Sequence, residues 1–190
     1  MNRTLPIGLA CLFGCGAAIG GQGTAARPAA APAATPAGSP LASLDFLIGA
    51  WRGEGGGQPG QGGGRFTFEP DLGGRVLVRR SHSEYPAAGD RPAVVHDDLM
   101  IVYPAPGGPG PEAVYFDNEG HVIEYAVEVA RDGKRVVLTS EAEPASPRFR
   151  LTYTRVGEDV VDVTFEIAPP GSPEAFKTYV SGLSKRTTRP

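Results

Sequence analysis

Between residues 51 and 186 apolar and polar side chains alternate in short runs, with a period of two and not 3.6. In HVIEYAVEV, His121, Ile123, Tyr125, Val127 and Val129 share one face, and Val122, Glu124, Ala126 and Glu128 share the other. In RFRLTYTR, Phe149, Leu151 and Tyr153 oppose Arg148, Arg150, Thr152 and Thr154. In VVDVTFEI, Val161, Val163, Phe165 and Ile167 oppose Val160, Asp162, Thr164 and Glu166. One dry face and one wet face describe strands of an antiparallel sheet. The pattern predicts strands over 51–54, 65–69, 75–84, 96–103, 113–117, 121–129, 135–140, 148–155, 160–167 and 177–186. Residues 41–48, LASLDFLI, are expected to form one or two helical turns before the first strand.

Turn-forming residues punctuate the runs: PDLGG at 70–74, APGG at 105–108, DNEG at 117–120, DG at 132–133 and GED at 157–159. No long helical pattern separates the strands, which argues against parallel βαβ units. A single sheet of this many short strands must protect its edges, and closure is the simplest way. The expected fold is therefore all-β, a single closed or nearly closed antiparallel up-and-down barrel of about ten strands. Its outer face is wet, unlike that of an outer-membrane barrel.

The first forty residues differ from the rest. Residues 1–24 read as a signal peptide, with Arg3 ahead of the apolar stretch 5–13. Two processing routes fit. LFGC at 12–15 resembles the bacterial lipoprotein box, which would place a lipid on Cys15; the small-x-small run TAA at 24–26 would suit ordinary cleavage. Residues 25–40, AARPAAAPAATPAGSP, form an Ala/Pro-rich tether, since proline at this density blocks helix and favours extended chain. The folding unit is then 41–190. The expected location is outside the cytoplasm, in the cell envelope or periplasm, lipid-anchored or otherwise secreted.

Charge narrows the partners. The chain carries 18 basic and 21 acidic residues, and Arg3 and Arg27 are the only charged side chains of the first forty. The folding unit is thus more acidic than the whole chain and has no basic stripe, so nucleic acid is not expected. Membrane contact is expected only through the lipid anchor. Cys11 and Cys15 are the only cysteines, which leaves no internal disulfide in the folding unit.

The segment LIGAWRGEGGGQPGQGGG holds the only tryptophan, Trp51, followed by a glycine run. A phosphate cradle would need that run to open a helix and carry GK[ST]; here it leads into the strand-like RFTF, so it reads as a connecting loop. The G-x-W formed by Gly49, Ala50 and Trp51 resembles the calycin group of lipocalins and fatty-acid-binding proteins. The longer string LDFLIGAWRGEG is similar to nitrobindin-type domains and to an exported bacterial domain family of unknown function. The resemblance implies a lipocalin-like barrel with Trp51 plugging one end and Arg186, from the last strand, capping it. Nitrobindin-type domains hold haem through a histidine near the C-terminus. No histidine follows His121 here, so no cofactor is expected, haem included.

The candidate cavity wall is Ile123, Tyr125, Val127, Phe149, Tyr153, Val163 and Phe165, with His121 at the rim by alternation. His121 has two readings: it touches a ligand, or it bonds Asp117 and fixes the corner. His82 and His96 come to one barrel end if their strands pair, with Glu84, Asp97 and Asp98 nearby, a conceivable metal cluster without recognised ligand spacing. No nucleophile motif such as G-x-S-x-G or H-E-x-x-H occurs. The function expected first is binding of a small apolar or amphipathic molecule inside the barrel. The rivals are a barrel filled by its own side chains, acting as a structural or interaction module, and a His-dependent enzyme.

Overall fold

The computed structural model describes residues 38–55, 64–87, 92–108 and 110–188. The proposed signal peptide, Cys15 and most of the tether lie outside them. Ten antiparallel strands follow one another around a closed barrel: β1 (Gly49–Gly53), β2 (Arg65–Asp71), β3 (Val76–Tyr85), β4 (Val94–Pro104), β5 (Pro111–Asp117), β6 (Val122–Val129), β7 (Arg135–Ser140), β8 (Arg148–Arg155), β9 (Val160–Ala168) and β10 (Lys177–Thr188). Each strand pairs with its sequence neighbours, and β1 closes the ring on β10. The all-β, up-and-down architecture is the one the alternation predicts, and it is consistent with a calycin-like fold.

A 3₁₀ helix, Ala42–Leu47, precedes β1 and covers one end of the barrel. Its Leu44 and Leu47, with the preceding Leu41, are buried in the same cluster as Phe68, Met100, Val102, Val136 and Leu138. This end, which also carries the β2–β3, β4–β5, β6–β7 and β8–β9 connections, is the closed end. The other is the open end. Burial follows the pleat: on β7 Val136, Leu138 and Ser140 are buried, and on β8 Leu151 and Tyr153. Inward turns alternate with outward ones, so a period of two becomes inside and outside.

Trp51 is 1% exposed and stands at the covered end. Its indole N–H donates to the Leu47 carbonyl at 2.7 Å, which ties the 3₁₀ helix to β1. The Arg186 guanidinium lies 4.1 Å over the indole ring and donates to the carbonyls of Phe46 (2.7 Å) and Ile48. The Asp159 carboxylate, at 3.1 Å, balances its charge. One cation therefore joins β10, the 3₁₀ helix and the β8–β9 turn. Trp51, Phe66, Phe68 and Tyr153 continue the packing as a chain of rings with centroids 5.5–6.1 Å apart.

Where β2 begins, the backbone comes close to β3. A Cβ on Gly64, whose φ is +104°, would meet the His82 carbonyl oxygen at 2.5 Å, so only glycine fits.

Candidate functional site

The barrel interior divides into two halves. Below its middle, Leu44, Leu47, Phe68, Met100, Val102, Val127, Val136, Leu138 and Tyr153 enclose only about 10 Å³. That is barely the volume of one water, and its walls are apolar, so this half is filled. Tyr125, Val127 and Tyr153, placed on the candidate wall by alternation, belong to this packed region.

Toward the open end the inward positions become polar and partly accessible. On β3 the inward series runs Leu77, Arg79, Ser81, Ser83, and on β4 it runs Val102, Met100, Asp98, His96. Arg79 and Asp98 form an ion pair at the boundary, their side chains 10% and 5% exposed. Burial opposes the charge on Arg79, but Tyr153, Asp98 and the phenols of Tyr115 and Tyr125 hold its pKa above the ordinary arginine value. Arg79 Nε and the Tyr153 hydroxyl are both buried without a hydrogen bond of normal geometry. Burial pushes the Tyr153 hydroxyl up to about 12, with Arg79 pulling the other way.

From this pair a line of polar contacts climbs to the rim. His96 Nε2 lies 3.7 Å from Asp98 and 3.0 Å from the Tyr115 hydroxyl, and His96 Nδ1 lies 3.1 Å from Glu119. The Tyr115 hydroxyl donates to Asp117 at 3.3 Å. Burial drives Tyr115 well above the usual phenol range, and the Asp98 and Asp117 carboxylates add to it. Asp117 in turn accepts from the backbone N–H groups of Glu119 (3.0 Å) and His121 (2.9 Å) and contacts His121 Nδ1 at 2.8 Å. Burial alone would raise the Asp117 carboxyl; these bonds outweigh it and hold its pKa below the ordinary value.

Opposite these polar groups stand Ile123, Phe149, Val163 and Phe165, each partly buried against the core. Phe149 and Phe165 stack, their centroids 6.0 Å apart and their planes 9° from parallel. Tyr179 meets Phe165 edge-on at 6.2 Å. The arrangement is an amphipathic cup: aromatic and aliphatic on one wall, acidic and imidazole-bearing on the other, with an ion pair as floor.

His121 lies one residue before β6, where the pleat that turns Ile123 and Tyr125 inward has not yet begun. Its side chain is 59% exposed and rests on Asp117, stabilising the β5–β6 corner and not lining the cup. His82 and His96 reach the same end, but the β3–β4 register sets His82 opposite Asp97 and His96 opposite Ser83, on different faces. His82 lies outside, 2.6 Å from Asp97 and 2.8 Å from Glu84, and those two hydrogen bonds, that to Glu84 first, raise its pKa above the ordinary histidine value. His96 faces in. Among the described residues no group of three or more His, Cys, Asp or Glu is arranged to hold a metal ion.

Sequence reading overlooked Arg79, Asp98 and Tyr115 as members of one internal layer. The signal was available: counting by twos from buried Leu77 reaches Arg79, and from Val102 reaches Asp98. The adjacent charges at 79 and 80 hid it, because they look like a break in alternation when one is inside and the other outside.

No protein-family model matches the chain, and no curated protein matches it either.

Proposed function

We propose that this is an exported small-molecule-binding barrel that holds a partly apolar ligand in the open half of its interior. The observation that supports this most directly is the cup wall. Ile123, Phe149, Val163 and Phe165 point toward the barrel axis, yet remain partly accessible, across from hydrogen-bonding groups on β4 and β5. Pockets for small molecules are mostly apolar with a few polar groups that set orientation. The filled lower half limits the ligand to what the upper half can hold, so a long chain reaching the Trp51 end is excluded. The reading of export comes from the N-terminal sequence.

The test is equilibrium binding of an environment-sensitive apolar fluorophore, with displacement by small amphipathic competitors. Saturable, displaceable binding that weakens in Phe165→Ser but not in the outward-facing Leu183→Ser supports the reading. Absence of uptake by the folded wild-type protein overturns it. That outcome would favour the second reading, a barrel filled by its own side chains that presents its loops to a partner, which the 10 Å³ residual space below the ion pair already favours for the lower half.

A further inference from the structure

A second site lies at the closed end, on the far wall from β1. There the β6–β7 turn and the end of β8 border an open groove of about 530 Å³, lined by Ala130, Arg131, Asp132, Lys134, Arg135, Thr154 and Arg155. Four cations and one carboxylate face it. The pairing of β7 with β8 fixes their spacing: Arg135 and Thr154 are directly opposed, and the Arg155 N–H donates to the Lys134 carbonyl at 2.7 Å. Asp132 is turned to its own loop, where its Oδ1 accepts from the Lys134 N–H at 3.0 Å. Among the described residues none of the four cations forms an ion pair. Elsewhere on the barrel Arg148, Arg150 and Lys185 each meet a glutamate.

Four like charges held together without carboxylates on an otherwise acidic domain repel one another, and the fold gains nothing from the arrangement. An anion removes that repulsion. The side chains supply only donors, three of them the planar guanidinium forks that suit phosphate oxygens. The global acidity excludes a broad basic face, but it leaves this local positive field, which would focus a compact anion. We propose that the groove is a binding site for phosphoryl anions, independent of the cup at the opposite end. The described chain enters the barrel at this same closed end, at Gly38, so residues 1–37 leave from the side on which the groove lies. Phosphate-bearing headgroups of an anionic membrane are one source of the ligand, and soluble phosphates are the other.

The experiment uses the full chain and two probes. Pyrophosphate is titrated calorimetrically, and co-sedimentation compares phosphatidylcholine vesicles with vesicles that also contain phosphatidylglycerol. Lys134→Gln/Arg135→Gln, exposed positions whose loss leaves the barrel intact by circular dichroism, is run beside the wild type. Preference for the anionic vesicles, weakened about tenfold or more in the variant and suppressed by salt, identifies a membrane source. Saturable pyrophosphate binding with the same loss in the variant identifies a soluble one. If the wild type binds neither probe, or the variant binds as the wild type does, the proposal is wrong.

Discussion

Asp98 and Asp117 lie directly opposite each other on β4 and β5, both turned inward, with side chains only 5% and 4% exposed. Two carboxylates so placed would repel unless each had its own donors, and each does. Arg79 faces Asp98, while two backbone N–H groups, the Tyr115 hydroxyl and the His121 ring converge on Asp117. The acidic wall of the cup is therefore built from neighbouring carboxylates whose charges are answered separately, one from inside the barrel and one from the rim.

Asp117 makes the stability of the rim pH-dependent. Its pKa is lowered in the folded chain, so its contribution is present above the unfolded value of about 3.9 and is lost as pH falls through the folded value. Asp117→Asn should cost about 1–3 kcal/mol near neutral pH, the usual cost of disturbing buried charged hydrogen bonds. The gap between variant and wild type should close in acid, below the folded pKa. Urea denaturation at pH 7 and at pH 3 measures both. A cost equal at the two pH values would contradict the assignment.

The two members of the central layer should respond oppositely. The Tyr153 hydroxyl is buried without a hydrogen bond of normal geometry, so Tyr153→Phe removes a desolvated polar group and keeps the ring packed on Phe66 and Phe68. It should be neutral or stabilise by up to about 1 kcal/mol. Arg79→Met instead leaves Asp98 buried without its cation and should destabilise by about 3–5 kcal/mol. Denaturant midpoints for the pair decide this, and a strongly destabilised Tyr153→Phe would mean that the hydroxyl has a partner after all.

Leu72 offers a separate test of backbone strain. It is the only described non-glycine residue with a positive φ, +51°, and its side chain is 69% exposed in the β2–β3 turn. A left-handed conformation costs a branched side chain roughly 1–2 kcal/mol, and exposure gives little packing in return. Leu72→Gly should therefore raise the melting temperature. A lower one would show that Leu72 makes contacts outweighing its strain.

The ten strands and the helical turn were legible because alternation and turn residues are local signals, and every predicted strand has its counterpart within a few residues. Closure was legible from the number of strands and the absence of covering helices. The site was legible only in part. Alternation counted outward from the buried centre holds, as with Ile123 and Tyr125; extended past a strand end it fails, as with His121, whose orientation is set by Asp117 in the turn. How far the helix-capped end is filled depends on tertiary packing of Leu44 and Leu47 against Met100 and Leu138, which no local pattern records. Nor does sequence spacing reveal that Arg131 and Arg155, on different turns, border one groove.

At the covered end, Arg186 should be the most sensitive exposed-to-core link. Its guanidinium stacks on Trp51, donates to two carbonyls at the end of the 3₁₀ helix and is balanced by Asp159, so one side chain holds three segments. Arg186→Ala should cost about 2–4 kcal/mol from combined loss of charged hydrogen bonds and cation–π contact. Arg186→Lys keeps the charge but not the planar fork, and should recover no more than about half of that. Trp51, the sole tryptophan, reports the outcome by its own fluorescence. In Arg186→Ala the emission should move toward that of a solvated indole before the barrel unfolds, as the helix detaches and uncovers the ring. If both variants unfold at the wild-type midpoint with unchanged Trp51 emission, the 3₁₀ helix is held by its leucines alone and Arg186 adds nothing to closure.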